Sequence, residues 1–132
     1  MVLLVREKSI IRNASEILNR DRIDVPLIAV SEVEPLSILS RQELQKRRIE
    51  WVPTMEVSGR TLCAAMSQKG FGVGLAFGTP GIPLLKDIRA LPLKGFPLGT
   101  FGALWVGGLT PLGELFVEEA AGMAANLKEA VS

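Results

Sequence analysis

The chain has 132 residues, room for one domain with a sizeable core and hardly for two. Hydrophobic residues make up 48% and charged residues 22%, and 15 basic against 14 acidic side chains leave a net charge of +1, too small an excess for a strong nucleic-acid surface. There is no histidine and a single cysteine, Cys63, which excludes a Ser-His-Asp triad, a Cys-His pair, a His-ligated metal, an intrachain disulfide framework and a cysteine-rich zinc site.

No apolar run approaches the length of a membrane span, and Met1 to Lys8 lacks the leading positive charge of a signal peptide, so a cytoplasmic location is expected. Val2 to Val5 is a short continuous apolar run that predicts a buried strand. Ile10, Ile11, Ala14, Ile17 and Leu18 fall at helical spacing and predict a loop entering a short helix. Pro26 to Val30 predicts a second strand opened by proline. Pro35 suits a first helical turn, where a missing N–H costs nothing, and Leu36 to Arg48 predicts the helix.

Thr54 to Val57 predicts a strand, and Ser58 is a natural N-cap for a helix that stops near Lys69-Gly70. Val73 to Phe77 and Ile88 to Leu93 predict strands on either side of a Gly/Pro-rich loop, Gly78 to Pro83. Lys94 to Gly99 is a connector, and Thr100 to Val106 predicts a strand with Trp105 inside it. Thr110-Pro111 opens the last helix, with one face marked by Leu112, Phe116, Ala120, Met123, Leu127 and Val131. Strands alternating with helices predict an α/β architecture with parallel pairs.

Several motifs have plain structural explanations. Gly70-Phe-Gly-Val-Gly74 follows a helix and enters a strand, the reverse of a dinucleotide-binding turn, so a helix cap and a tightly packed strand are expected. Arg41, Lys46, Arg47 and Arg48 suit a solvated helix face, and no aromatic partners beyond Trp51 suggest nucleic acid. Cys63 sits among apolar neighbours and suits a small buried side chain; Trp105 and Phe116 suit a core. Glu114, Glu118 and Glu119 suit the wet side of a helix. Ser58-Gly59 is the exception. A helix start there would aim free amides and a positive dipole end at an anion, with no glycine side chain in the way.

One ordered pattern exceeds what composition supplies. Val2 to Lys8 is followed by Pro26 to Val30, then Glu56-Val57-Ser58, Ala64-Ala65, Gly70 to Phe77, Leu91-Pro92-Leu93, Leu104-Trp105 and Leu109-Thr110-Pro111. This order resembles the C-terminal part of the effector-binding domain of LysR-type transcriptional regulators, most specifically over Glu56 to Phe77. The resemblance implies an α/β fold: one lobe of a type 2 periplasmic-binding-protein-like architecture, with a mixed, mostly parallel sheet flanked by helices. It implies that residues 1–99 form lobe two with a first hinge strand, and that 100–132 supply a return hinge strand and a C-terminal helix belonging to lobe one. The family's winged helix-turn-helix, linker helix and first half of lobe one have no counterpart in these residues, so the pattern is that of a truncated regulator.

The expectation is therefore a non-enzymatic effector-sensing domain that binds a small anionic metabolite and regulates transcription in the full-length protein. The residues implied are Ser58 and Gly59 at the helix start, Phe77, Gly78 and Thr79 on a facing wall, and Ser31 after another strand. No catalytic residue, metal or cofactor is expected. DNA would be bound only through the absent helix-turn-helix, no membrane is a partner, and effector affinity should be weak with half a lobe missing. Leaving the large apolar side chains of the last helix uncovered would forfeit about 1.5–3 kcal/mol each, so a homo-oligomer through that helix is expected. A stand-alone small-solute binding module of the same architecture is the alternative. A small α/β enzyme would lack any paired acid/base constellation.

Overall fold

Leu3 and Val5 face one side of a sheet and Leu4 the other, and this alternation organises the first of two units, residues 1–78 and 83–99. The computed structural model describes residues 1–131, with side chains through Leu127. The elements run β1 (Val2–Arg6), α1 (Ser15–Leu18), β2 (Leu27–Val30), α2 (Pro35–Lys46), β3 (Pro53–Val57), α3 (Arg60–Gln68), β4 (Val73–Ala76), β5 (Ile88–Pro92) and α4 (Pro111–Val131). The five strands form one sheet in the order β3-β2-β4-β1-β5. β2 is parallel to both β3 and β4, whereas β1 is antiparallel to β4 and β5. The sheet is thus mixed, with parallel and antiparallel pairings in equal number rather than mostly parallel, because β1 and β5 pair only with strands running against them.

Each face of the sheet carries its own core. Leu3, Val5, Leu27, Val73 and Leu75 point toward Ile17 of α1, Leu36 and Leu44 of α2, and Trp51, Leu93 and Phe96. The Trp51 Nε1 donates to the Val25 carbonyl at 2.8 Å, so the indole is buried without stranding its N–H. The opposite face packs under α3 through Leu4, Ile28, Val57, Cys63, Ala64 and Ala76. β2 is buried along its whole length, which explains why it reads as an unbroken apolar run.

Gly74 sets how closely α3 lies on the sheet. A methyl group there would sit 2.6 Å from Ser67 Oγ and 2.7 Å from Cys63 Sγ, so only hydrogen fits. Gly70 closes α3 at φ 85°, and the Phe71 amide reaches back to the Met66 carbonyl at 3.2 Å. The glycine run is therefore a helix stop and a close-packed strand, as its order in the chain implies. Arg89 Nη2 donates to the carbonyls of Ser9 (3.2 Å) and Ile11 (2.7 Å), tying the loop after β1 to β5. Arg47 pairs with Glu43 at 2.9 Å and lies over the Phe96 ring, fixing the connector after β5.

Two expectations about local structure are corrected. Ser58 does not cap α3: β3 runs to Val57, the chain bends, and Gly59 takes the cap position at φ 155° with no side-chain bond to the helix. The helix begins one residue too late for the Ser58 hydroxyl to serve it. Thr100 to Val106 is not a strand, because it pairs with none, and Leu104 and Val106 are 97% and 99% exposed. Its apolar alternation imitates a strand, but no neighbouring ladder takes its backbone.

The second unit comprises residues 79–82 and 100–132. Its main element is α4, where Thr110 Oγ1 accepts the Gly113 amide at 3.2 Å and caps the start as the Thr-Pro pair predicts. Leu112, Leu115, Phe116 and Met123 are exposed, and so is Trp105, so the expectation that Trp105 and Phe116 are core residues fails. Val131, the last position of the predicted apolar face, lies outside the described side chains. No helix among the described residues is long and apolar enough to cross a membrane.

Candidate functional site

Three adjacent strands, β3, β2 and β4, run parallel, so their carboxyl ends lie on one edge of the sheet. Ser58 and Gly59 follow β3, Ser31 follows β2, and Phe77 and Gly78 follow β4. Strand spacing of about 4.8 Å places these three loops within roughly 10 Å of one another. The sheet thus gathers five of the six expected residues on the edge where open α/β sheets take ligands. Thr79, the sixth, falls in the second unit.

The chemistry of that edge follows from what each loop leaves unused. The first intrahelical bond of α3 runs from the Cys63 amide to the Gly59 carbonyl at 3.0 Å. The amides of Arg60, Thr61 and Leu62 have no acceptor within the helix, and among the described residues no side chain caps them. Ser58 is exposed and its hydroxyl is not spent on the helix. Nothing lies within 4 Å of where a Gly59 side chain would begin, so the approach to these amides is open. Ser31 is half-buried and its carbonyl accepts the Glu34 amide at 3.0 Å, holding the turn into α2. Phe77 is half-buried against the main core, and Gly78 lies against Val2, leaving no room for a side chain on that side.

Sequence reasoning missed Arg60 and Thr61. Arg60 begins α3 beside Gly59 and adds a guanidinium to an end already positive through the helix dipole. Its place directly after Ser58-Gly59 was the available signal. Sequence reasoning also missed a groove of about 600 Å³ between α2 and β3. Its floor is Leu27, Ala29, Leu44, Trp51 and Leu75, and none of the six expected site residues lines it. The groove lies on the α2 flank of the sheet; its lining includes Val30 and Glu32, on either side of Ser31, and reaches Glu56, two residues before Ser58.

Cys63 is fully buried, and burial pushes its thiol above the ordinary range, which suits an inert packing residue. The Arg41, Lys46, Arg47 and Arg48 cluster is exposed, with Lys46 and Arg47 sharing Glu43, as expected of a solvated face. Among the described residues no group of His, Cys, Asp and Glu could hold a metal ion.

No family model matches the chain, and no curated protein matches it. Among solved structures, the fold is similar to the crystal structure of the PA01 protein of Pseudomonas aeruginosa, a protein assigned to the LysR family of transcriptional regulators. The TM-score is 0.64 and the sequence identity 16%, over 89% of this chain and 42% of that one. The chain thus spans less than half the length of the protein it resembles. The likeness establishes the architecture: a mixed five-stranded α/β sheet of the kind found in a protein assigned to the LysR family.

Proposed function

We propose that this chain is the effector-sensing domain of a LysR-type transcriptional regulator, one lobe of a periplasmic-binding-protein-like pair. It binds a small carboxylate-bearing metabolite and transmits its presence to a DNA-binding domain; it is a cytoplasmic binding protein and not a catalyst. The observation that carries this reading is the shared edge of β3, β2 and β4. There the uncapped amides of α3, the free Ser58 hydroxyl and the Arg60 guanidinium complement an anion. Fold likeness to the Pseudomonas protein supports the regulator context. Ser31, Phe77 and Gly78 complete the wall of the site, and a ligand touching both lobes would shift the population toward a closed form. The exposed apolar face of α4 supports self-association through that helix.

The test is a panel of small carboxylic acids assayed by equilibrium dialysis against the chain and against Ser58→Asp. The expected result is weak binding that Ser58→Asp abolishes, because it sets a carboxylate among the open amides. Binding that Ser58→Asp leaves unchanged would refute the placement.

A further inference from the structure

At the edge of the sheet opposite Ser58, three segments meet. The β1–β4 register, carried past Leu4 and Gly74, sets Arg6 beside Gly72, and the β2–β4 register sets Pro26 on its other side. The Val73 amide donates to the Pro26 carbonyl at 2.8 Å, and a methyl group at Gly72 would sit 2.5 Å from that same oxygen, so the segments close only over bare backbone. At about 3.3 Å per residue, Gly72 lies roughly 17 Å along β4 from Phe77.

A groove of about 460 Å³ lies over this junction. Val5, Pro26 and Val73 form its apolar part, with Ile10 exposed at the rim. Arg6, Lys8 and Ser9 form its polar part, and no carboxylate lines it. Neither cationic side chain has an ion pair or hydrogen bond among the described residues. Arg6 Nη1 lies 3.1 Å from where a Gly70 side chain would begin, so the guanidinium rests on bare backbone at the carboxyl end of α3, where the helix dipole favours a cation. Ser9 Oγ accepts the Ile11 amide at 3.2 Å, which leaves the hydroxyl proton to donate. The Gly72 amide makes no hydrogen bond among the described residues.

We propose that this groove binds a phosphate monoester carrying a compact apolar group, at a site separate from the Ser58 edge. Two uncompensated cations in one groove favour a dianion over a single carboxylate. The Arg6 guanidinium takes two phosphate oxygens in its planar fork, Lys8 adds a point charge, and the Ser9 hydroxyl donates to the third terminal oxygen. The apolar wall beside them takes the organic group, which phosphate alone lacks.

The experiment titrates phenyl phosphate into the isotopically labelled full chain and follows the amide shifts, with inorganic phosphate and acetate as comparison ligands. The amides from Arg6 to Ile10 and from Gly70 to Val73 are expected to move together with a Kd of about 1 mM. Inorganic phosphate should bind there more weakly, and acetate should leave these amides still. Arg6→Gln and Lys8→Gln should each weaken binding roughly fivefold or more. Lys94→Gln removes an exposed charge from the connector after β5 and should weaken it less than about twofold, as a screened, distant charge does. All three sites are exposed, and circular dichroism confirms folding. No saturable shift at these amides up to about 10 mM, or equal losses in all three variants, overturns the proposal. So does acetate moving the groove amides as strongly as phenyl phosphate, or phenyl phosphate shifting only Ser58 to Leu62. The two ends of β4 carry different amides, so failure here is distinguishable from failure of the site at Ser58.

Discussion

Replacing Gly74 with alanine tests how α3 is seated. The added methyl would lie 2.6 Å from Ser67 Oγ, 2.7 Å from Cys63 Sγ and 3.3 Å from Leu4 Cβ. Non-bonded carbon contacts are optimal near ~3.5–4.0 Å, so the first two overlaps approach an ångström. Ser67, Cys63 and Leu4 are all fully buried, and none can swing into solvent to relieve the clash. Overpacking of this kind costs about 1–3 kcal/mol. At about 4 °C per kcal/mol for a chain of this size, the melting temperature should fall by roughly 4–12 °C. Ser67→Ala offers a partial rescue. Its hydroxyl is buried without a partner, so deleting it breaks no hydrogen bond and should be neutral or stabilising by up to about 1 kcal/mol. The double variant should recover about 0.5–1.5 kcal/mol of coupling, and not the whole loss, because the Cys63 sulfur remains. Urea and thermal unfolding followed by circular dichroism measure all four corners of the cycle. A Gly74→Ala chain within about 0.5 kcal/mol of wild type, or a double variant showing simple additivity, would refute this account of the packing.

Other consequences are as direct. Ser58→Ala should leave stability within about 0.5 kcal/mol in urea unfolding, since the hydroxyl makes no bond to α3, whereas loss of a true N-cap costs about 1 kcal/mol. Arg89→Met keeps the side-chain stem but strands the carbonyls of Ser9 and Ile11, and should cost about 1–3 kcal/mol while speeding proteolysis in the loop after β1. The raised Cys63 pKa means the folded chain holds its thiol proton more tightly than the unfolded chain. The associated stability is intact at neutral pH and is lost as pH climbs above the ordinary thiol range, so the urea midpoint should fall between about pH 8 and pH 10 more steeply in wild type than in Cys63→Ala. Iodoacetamide at pH 8 should label Cys63 only on unfolding, which mass spectrometry follows.

Much of the fold is legible in the residue order because local and tertiary preferences agree. Val2 to Val5 and Pro26 to Val30 are unbroken apolar runs since both faces of the sheet are covered there. Pro35, Gly70 and Thr110 each mark a helix end through a backbone requirement that no other part of the structure contests. The failures arise where a local pattern lacks a tertiary partner. Thr100 to Val106 has strand-like composition but no ladder to join, and Phe116 has core-like chemistry on a helix whose apolar face is exposed. Ser58 was misassigned by a single residue, enough to move its hydroxyl from the helix to solvent. That error leaves the site idea intact, since an uncapped α3 keeps its amides available. The α2–β3 groove was invisible in sequence because it is made by two elements whose spacing is set by Trp51 and Leu44 beneath them.

Amide chemical shifts of the isotopically labelled chain, followed as short carboxylic acids are titrated to millimolar concentration, test the placement of the site most directly. The account predicts that the perturbed amides gather at Ser31, at Ser58 through Leu62, and at Phe77 and Gly78, the loops that cap three neighbouring parallel strands. Shifts gathering instead along Arg41, Gln45 and Glu56, with the amino end of α3 silent, would contradict it.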